Sequence, residues 1–365
     1  MGWIAYEAGA VLEPAVGRAA DRGPPGKGAF PLMEWFRIEG VLAFDTHSRR
    51  WWRTNGHAWH LPDPIADQPF RFTCGPAEPE DDGGYQAAAL RTIDYIRAGD
   101  IYQANITRQI VRPFSGSGRG LFSALMREAA PWFGAYFETD DPWARRIIAS
   151  ASPELFLSFD ASTREVRTRP MKGTWRGTPG PASEAALRTS AKDAAELTMI
   201  VDLMRNDLGR VCAPGSICVA DHRTIESHAG RGAAPILQTT TSVRGTLAPG
   251  RTLADLIRAS FPAGSVTGAP KIRAMQIIRE LETADRGIYC GAIGSIDDRG
   301  TMQLSVAIRT ASIVGAGDEA TTDGVEGTVT FGVGGGIVAD SDPAREWDET
   351  VLKASAFRRA ADSRD

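Results

Sequence analysis

The residues best suited to chemistry fall in a few places along the 365-residue chain. Asp193 and Glu196 lie three apart in a segment of helical pattern that begins at Ala191, so they share a face. Glu346, Glu349 and Lys353 stack on one stripe of the last helical segment. Two acidic faces that meet would offer what Mg2+ prefers, a few carboxylate oxygens with positions left for water or a substrate oxygen. By spacing alone the same residues read more simply as a solvated face with a Glu349–Lys353 pair at i, i+4.

Lys172 stands in Arg169-Pro-Met-Lys-Gly-Thr-Trp175, where period-2 geometry puts Pro170, Lys172 and Thr174 on one side of a strand. A lysine attacks carbon only when neutral, which requires burial or cationic neighbours, and Gly173 leaves room for a substrate to come close. An isolated strand lysine is otherwise a surface residue. Phe331-Gly-Val-Gly-Gly-Gly-Ile337 sets four glycines at a strand end, baring N–H groups that a carboxylate can approach. It lacks the lysine and hydroxyl of a nucleotide-binding loop, and a plain turn also satisfies it. In Phe261-Pro-Ala-Gly-Ser-Val-Thr-Gly-Ala-Pro-Lys271 a turn with hydroxyls runs into a helix N-terminus, which again suits an anion.

These residues need elements to position them. Ala89, Ile93 and Ile96 recur at helical spacing over Tyr85–Ala98, Gly99-Asp100 supplies a stop, and a strand-like run follows over Ile101–Val111. Further helices are expected at Ala191–Asp207, Leu253–Ser260, Ala269–Leu281 and Pro343–Ala361. Strands are expected at Trp132–Glu138, Ile147–Phe159, Glu165–Thr174, Ile217–Thr224, Thr239–Thr246, Ile288–Ile296, Gln303–Ile313 and Gly327–Val333. Most spacers between the strands of the central segment are too short for helical crossovers, so antiparallel pairing and an α+β fold follow. Gly315–Gly327 reads as a hairpin loop. The short aromatic-rich segments Trp35–Phe44 and Trp51–Trp59 imply a strand-rich N-terminal lobe over residues 1–84, followed by a catalytic domain over 85–365.

Composition limits the partners. Hydrophobic content of 42%, 24% charged residues and a net charge of -4 give no electrostatic reason to expect nucleic acid or an anionic membrane, so a small molecule is the expected substrate. Cys74, Cys212, Cys218 and Cys290 show no C-x-x-C spacing and read as reduced thiols. The stretch Met1–Glu7 has neither the basic residues nor the apolar core of a signal peptide, and no apolar run is long enough to span a bilayer, so cytoplasmic residence is expected.

Taken together, the segments resemble the chorismate-utilising family, which includes anthranilate, aminodeoxychorismate, isochorismate and salicylate synthases. The resemblance runs from about Tyr85 onwards. It rests on Gly99-Asp-Ile-Tyr-Gln-Ala-Asn-Ile-Thr-Arg108, Ser152-Pro-Glu-Leu-Phe156, Lys172-Gly-Thr174 and Lys192 through Asp207, then on Phe261–Lys271, Ile308-Arg-Thr310 and Gly334–Asp342 with Glu349-Thr350 and Lys353. It implies two antiparallel sheets packed as a sandwich, surrounded by helices, with chorismate and Mg2+ in a cleft. By the same resemblance Glu196 and Glu349 are the metal ligands, with Asp193 and Glu346 one water further out. Thr174, Gln103, Tyr289, Arg309, Gly334, Gly335 and Lys353 contact the substrate.

Two positions sort the branches. Members that add water carry a lysine base where this chain has Gln103, because water must be deprotonated to attack, whereas ammonia is already nucleophilic. Anthranilate synthase carries alanine where Lys172 stands, and the aminodeoxychorismate branch carries Lys-Gly-Thr. The resemblance therefore implies amination of chorismate at carbon 4, with Lys172 as covalent nucleophile and Glu154 as general acid and base. The chain carries no glutaminase signature, so a glutamine amidotransferase subunit or free ammonium is the expected ammonia source. Without a pyruvate-eliminating segment, the product is expected to stop at 4-amino-4-deoxychorismate, a folate precursor. Anthranilate synthase component I and a catalytically silent chorismate-binding protein are the alternatives. Gln238 stands where many relatives have histidine, Trp175-Arg176-Gly177 replaces Pro-Arg-Gly, and relatives usually carry some tens of residues before a segment like Gly2–Glu7.

Overall fold

The structure, a computed structural model, describes residues 1–17, 29–45, 48–53, 70–78, 80, 82–129, 131–140, 144–176, 180–228, 236–317 and 324–363, without the side chains of 174–176, 191, 192, 228, 236 and 317. Among the described residues two large antiparallel sheets of nine and seven strands carry the fold, with a separate two-stranded hairpin, Leu42–Asp45 with Arg50–Arg53. Trp3 and Ile293 of the first sheet meet Ile148 and Phe137 of the second in an apolar layer between them. Helices cover the outer faces. Ala191–Gly209 and Leu253–Ser260 pack on the first sheet, and Gly118–Ala129 and Pro343–Asp362 on the second. This is the α+β sandwich the sequence implies. The helices Gly118–Ala129 and Pro181–Thr189 are additions to the sequence reading.

The strands differ from expectation where a proline or a strained residue interrupts the pattern. Ile147–Phe159, read as one strand, is two: Arg145–Ser152 belongs to the second sheet and Leu155–Phe159 to the first. Pro153 has no N–H to give a ladder, so the chain leaves one sheet there and enters the other with Glu154 on the crossing. Gln303–Ile313 splits the same way, into Met302–Val306 and Thr310–Gly317, with Arg309 on the crossing at φ 51°. For a non-glycine residue that conformation is uncommon and has to be held by its surroundings. The two crossings tie each other down: Ser152 Oγ donates to Val306 O at 2.6 Å, Val306 N to Glu154 O at 3.0 Å, and Ala151 N to Arg309 O at 3.0 Å.

Glu165–Thr174 is broken at Pro170 into Glu165–Arg169 and Met171–Arg176, both paired with Ile236–Thr246. Inside the second piece Lys172 pairs with Thr239 and Thr174 with Gln238, so Gly173, at φ 70°, is an inserted residue. This bulge breaks the alternation from which a shared face for Lys172 and Thr174 follows. The side chain of Thr174 lies outside the described residues.

The glycine strand, Gly324–Ile337, is longer than Gly327–Val333 and pairs with Thr310–Gly317 as the far side of a hairpin whose residues 318–323 lie outside the described ones. Helix starts are chemically marked. Ser190 Oγ accepts from Asp193 N to begin Ala191–Gly209, and Asp342, followed by Pro343, accepts from Arg345 N to begin the last helix. The helix expected from Ala269 starts at Lys271, because Gly268 and Ala269 pair with Ala104 and Gln103. Among the described residues no helix is long and apolar enough to cross a membrane, and all four cysteines are free of disulfides.

Candidate active site

A cavity of about 610 Å3 opens beside the two sheet crossings. Glu154 and Arg309 reach it from the crossings, Lys172 from the bulged strand, and Asp193 and Glu196 from the helix Ala191–Gly209. The last helix contributes Glu349 and Lys353, and Tyr289 also lines the cavity. The structure thus brings together residues that are up to about half the chain apart in sequence, including both glutamates assigned to the metal and the lysine assigned to catalysis.

Glu154 is buried, and Ser265 Oγ donates to its Oε1 at 2.6 Å. Burial pushes this carboxyl up to about 7, against the Ser265 hydrogen bond and the positive charges of Lys172, Arg169 and Arg309, which pull it down. A carboxyl poised near neutrality can both give and take a proton. Burial likewise holds the Tyr289 phenol far above its ordinary value, so it is a neutral contact. Lys172 Nζ lies 3.4 Å from Glu196 Oε2, with both side chains mostly covered.

Close approach explains the glycines. A Cβ on Gly332 would meet the Tyr289 ring at 2.2 Å, and one on Gly336 would meet Gln103 Nε2 at 2.1 Å and Lys172 Nζ at 3.2 Å. The Gln103 amide and the Lys172 amine are therefore neighbours over Gly336. Gln103 is buried behind the cavity wall and does not line it, and its Oε1 makes no hydrogen bond. A Cβ on Gly173 would meet Asp193 Oδ2 at 3.0 Å, so that carboxylate lies against the bulge.

The glycine strand also presents a bare edge. Thr107 N donates to Glu282 rather than to Gly334, so the Gly334–Thr107 pair is of the non-bonded kind, and the backbone groups of Gly334 point away from that neighbour. On the other side Thr310–Gly317 pairs only as far as Phe331. Gly332, Gly334 and Gly336 therefore line the cavity with outward backbone groups, and Lys353 Nζ already donates to Gly334 O at 2.8 Å. Gly335 faces the other side, where a Cβ would sit 3.3 Å from Glu346 Oε2, 3.4 Å from Tyr85 Oη and 4.0 Å from Glu349 Oε1. Gly335 and Glu346 therefore stand behind Glu349 and not on the cavity surface.

The donors fit Mg2+. Among the described residues no three His, Cys, Asp or Glu side chains converge as a metal cage, whereas Glu196 and Glu349 put two carboxylates on one cavity. One or two carboxylates completed by water and substrate oxygens is the usual protein shell of this ion. The Phe261–Lys271 motif divides: Ser265 and Val266 line the cavity, but Lys271 turns away to pair with Asp207 at 2.6 Å and to donate to Ser260 O. Asn105, Ser265, Gln238, Arg345 and Asp348 line the cavity without having been singled out as site residues from sequence. Only Ser265 had a local signal, the turn it occupies.

Comparison with known proteins places the chain. The sequence profile of the chorismate binding enzymes matches residues 1–359. An anthranilate synthase component I-like protein of Synechocystis is 32% identical over 376 residues, covering 99% of this chain and 72% of that protein. Anthranilate synthase component 1 of Streptomyces coelicolor is 40% identical over 276 residues, covering 74% of this chain and 50% of that one. Aminodeoxychorismate synthase component 1 of Escherichia coli is 37% identical over 266 residues, covering 72% and 54%. The chain thus spans about half the length of the latter two. The crystal structure of anthranilate synthase component I from Streptococcus pneumoniae superposes with a TM-score of 0.75 at 26% identity, covering 98% of this chain and 80% of that one.

Proposed function

The chain belongs to the family of chorismate-binding enzymes, and on that premise we propose that it is the synthase subunit of an aminodeoxychorismate synthase, converting chorismate and ammonia to 4-amino-4-deoxychorismate. The observation that carries this reading is Lys172, whose amine stands in the cavity wall beside Gln103 and 3.4 Å from Glu196. A lysine there supplies a nucleophile, and a glutamine at 103 supplies no base to activate water.

Arg309, Lys353 and the outward N–H groups of the glycine strand suit the two substrate carboxylates. Glu196 and Glu349 would hold Mg2+, which when bound supplies positive charge for substrate oxygens. In the first step the Lys172 amine, neutral once its proton has passed to solvent, forms the Nζ–C2 bond, both ring double bonds move by one position, and the C4–O bond breaks. Glu154 protonates the departing hydroxyl so that it leaves as water. In the second step ammonia bonds to C4, the double bonds return, and the C2–Nζ bond breaks. Glu154 then takes the proton that the incoming nitrogen loses. Ammonia comes from a glutamine amidotransferase partner or from free ammonium.

Incubation with chorismate, Mg2+ and ammonium tests the reaction. The expected result is no anthranilate fluorescence, with 4-aminobenzoate appearing only after a separate pyruvate-eliminating lyase is added. Direct formation of anthranilate overturns the proposal, and so does tight chorismate binding without turnover.

A further inference from the structure

We infer that Ser265 is a positioning residue for Glu154: its hydroxyl captures Oε1 and thereby reserves Oε2 as the oxygen that exchanges a proton with the substrate. This inference rests on the reading of Glu154 as acid and base. The geometry is specific. Ser265 Oγ donates to Oε1 at 2.6 Å, both side chains are buried, and both line the cavity. A hydroxyl that donates to one carboxyl oxygen forces that oxygen to accept, so in the neutral acid the proton sits on the other.

Both partners are held by their backbones. Glu154 is fixed on the crossing, since its N donates to Ser152 Oγ at 3.2 Å while its O accepts from Val306 N. Ser265 lies in the one-turn 3-10 helix Gly264–Val266. That turn is pressed on the helix Ala191–Gly209, for a Cβ on Gly264 would meet Leu203 Cδ2 at 2.7 Å. Thr267 Oγ1 secures it from behind by donating to Ala263 O at 3.1 Å. A donor and an acceptor fixed on separate elements form a preorganised pair rather than an incidental contact. Other charges also act on Glu154: Lys172 from the bulged strand, Arg169 from Glu165–Arg169, and Arg309 from the second crossing, all of which favour its charged form. Ser265 differs from them in bonding to a single oxygen.

The test is the protonation of Glu154 in Ser265→Ala and Ser265→Thr. Its carboxyl stretch is followed by infrared titration, assigned by its loss in Glu154→Gln, and the pH profile of kcat/KM is measured in parallel. A hydrogen bond to a carboxylate favours the charged form, so removing it raises the apparent pKa, by about one unit for a bond of ordinary charge-assisted strength. Ser265→Thr keeps a hydroxyl and is expected to restore the wild-type titration. An unchanged Glu154 titration in Ser265→Ala overturns the inference, as does an upward shift that Ser265→Thr fails to reverse. If the enzyme reading itself were wrong, chorismate turnover would be missing in the wild type while the infrared shift remained, so the two failures are distinguishable.

Discussion

Two lysine–glutamate pairs line the same cavity, one on a strand wall and one on a helix wall, and they differ in burial rather than in chemistry. Lys172 and Glu196, contributed by a strand and by a helix that starts 15 residues after it ends, are 3.4 Å apart with side chains only 15% and 11% exposed. Lys353 and Glu349, one turn apart on the last helix, are 2.7 Å apart and 42% and 44% exposed. The shorter contact is the weaker interaction, because water screens it and each side chain loses freedom to make it. The covered pair carries a larger desolvation cost, which its mutual attraction has to offset. Losing one member of the pair on the strand wall is therefore costly, whereas the pair on the helix wall can separate at little cost.

Unfolding measurements break or sharpen this contrast. Glu196→Ala removes the carboxylate 3.4 Å from the largely covered Lys172 Nζ and is expected to destabilise the protein by about 3 kcal/mol, the lower end for a broken buried pair. Lys353→Ala removes a screened pair and one hydrogen bond to Gly334 O, for which about 1 kcal/mol in denaturant titration is expected. Equal losses would show that the two walls are not different in kind.

A pH dependence of stability tests the buried carboxyls in the same way. Burial raises Glu7 and Glu154 from 4.5 to about 7 and Asp207 from 3.8 to about 6. A carboxyl raised on folding binds more protons in the native state than in the unfolded one. Its stabilisation is complete below the unfolded pKa and is lost as pH rises through the folded value. Between about pH 5 and 7 stability is expected to fall with rising pH, so Tm at pH 5.5 exceeds Tm at pH 8. Glu154→Gln should flatten part of that slope in calorimetry, and an unaltered slope would assign it to Glu7 and Asp207.

The sequence carried the stop at Gly99-Asp100, the helix faces and the glycine run, because each depends on neighbours within one or two turns. Glu196 and Glu349 could be placed on helix faces in that way, but nothing local said that the faces meet. The two sheet crossings were not legible. Pro153 hints at a break, yet a break in a strand looks the same whether the chain stays in its sheet or leaves it, and the bend at Arg309 carries no breaker residue at all. The bulge at Gly173 defeated the alternation argument for Thr174, since an inserted residue is set by pairing with Ile236–Thr246 rather than by local composition. Gln238 and Asn105 reach the cavity through strand register alone, and register is a tertiary property. The resemblance to chorismate-utilising enzymes supplied the assembly that spacing could not.

The central claim is that Lys172 bonds to the substrate, and intact-mass spectrometry of the protein with chorismate and Mg2+, in the absence of ammonium, tests it most directly. The account predicts a mass increase equal to chorismate less water, located by digestion to the peptide bearing Lys172 and lost in Lys172→Ala. An adduct of the same mass that persists undiminished in Lys172→Ala would contradict it.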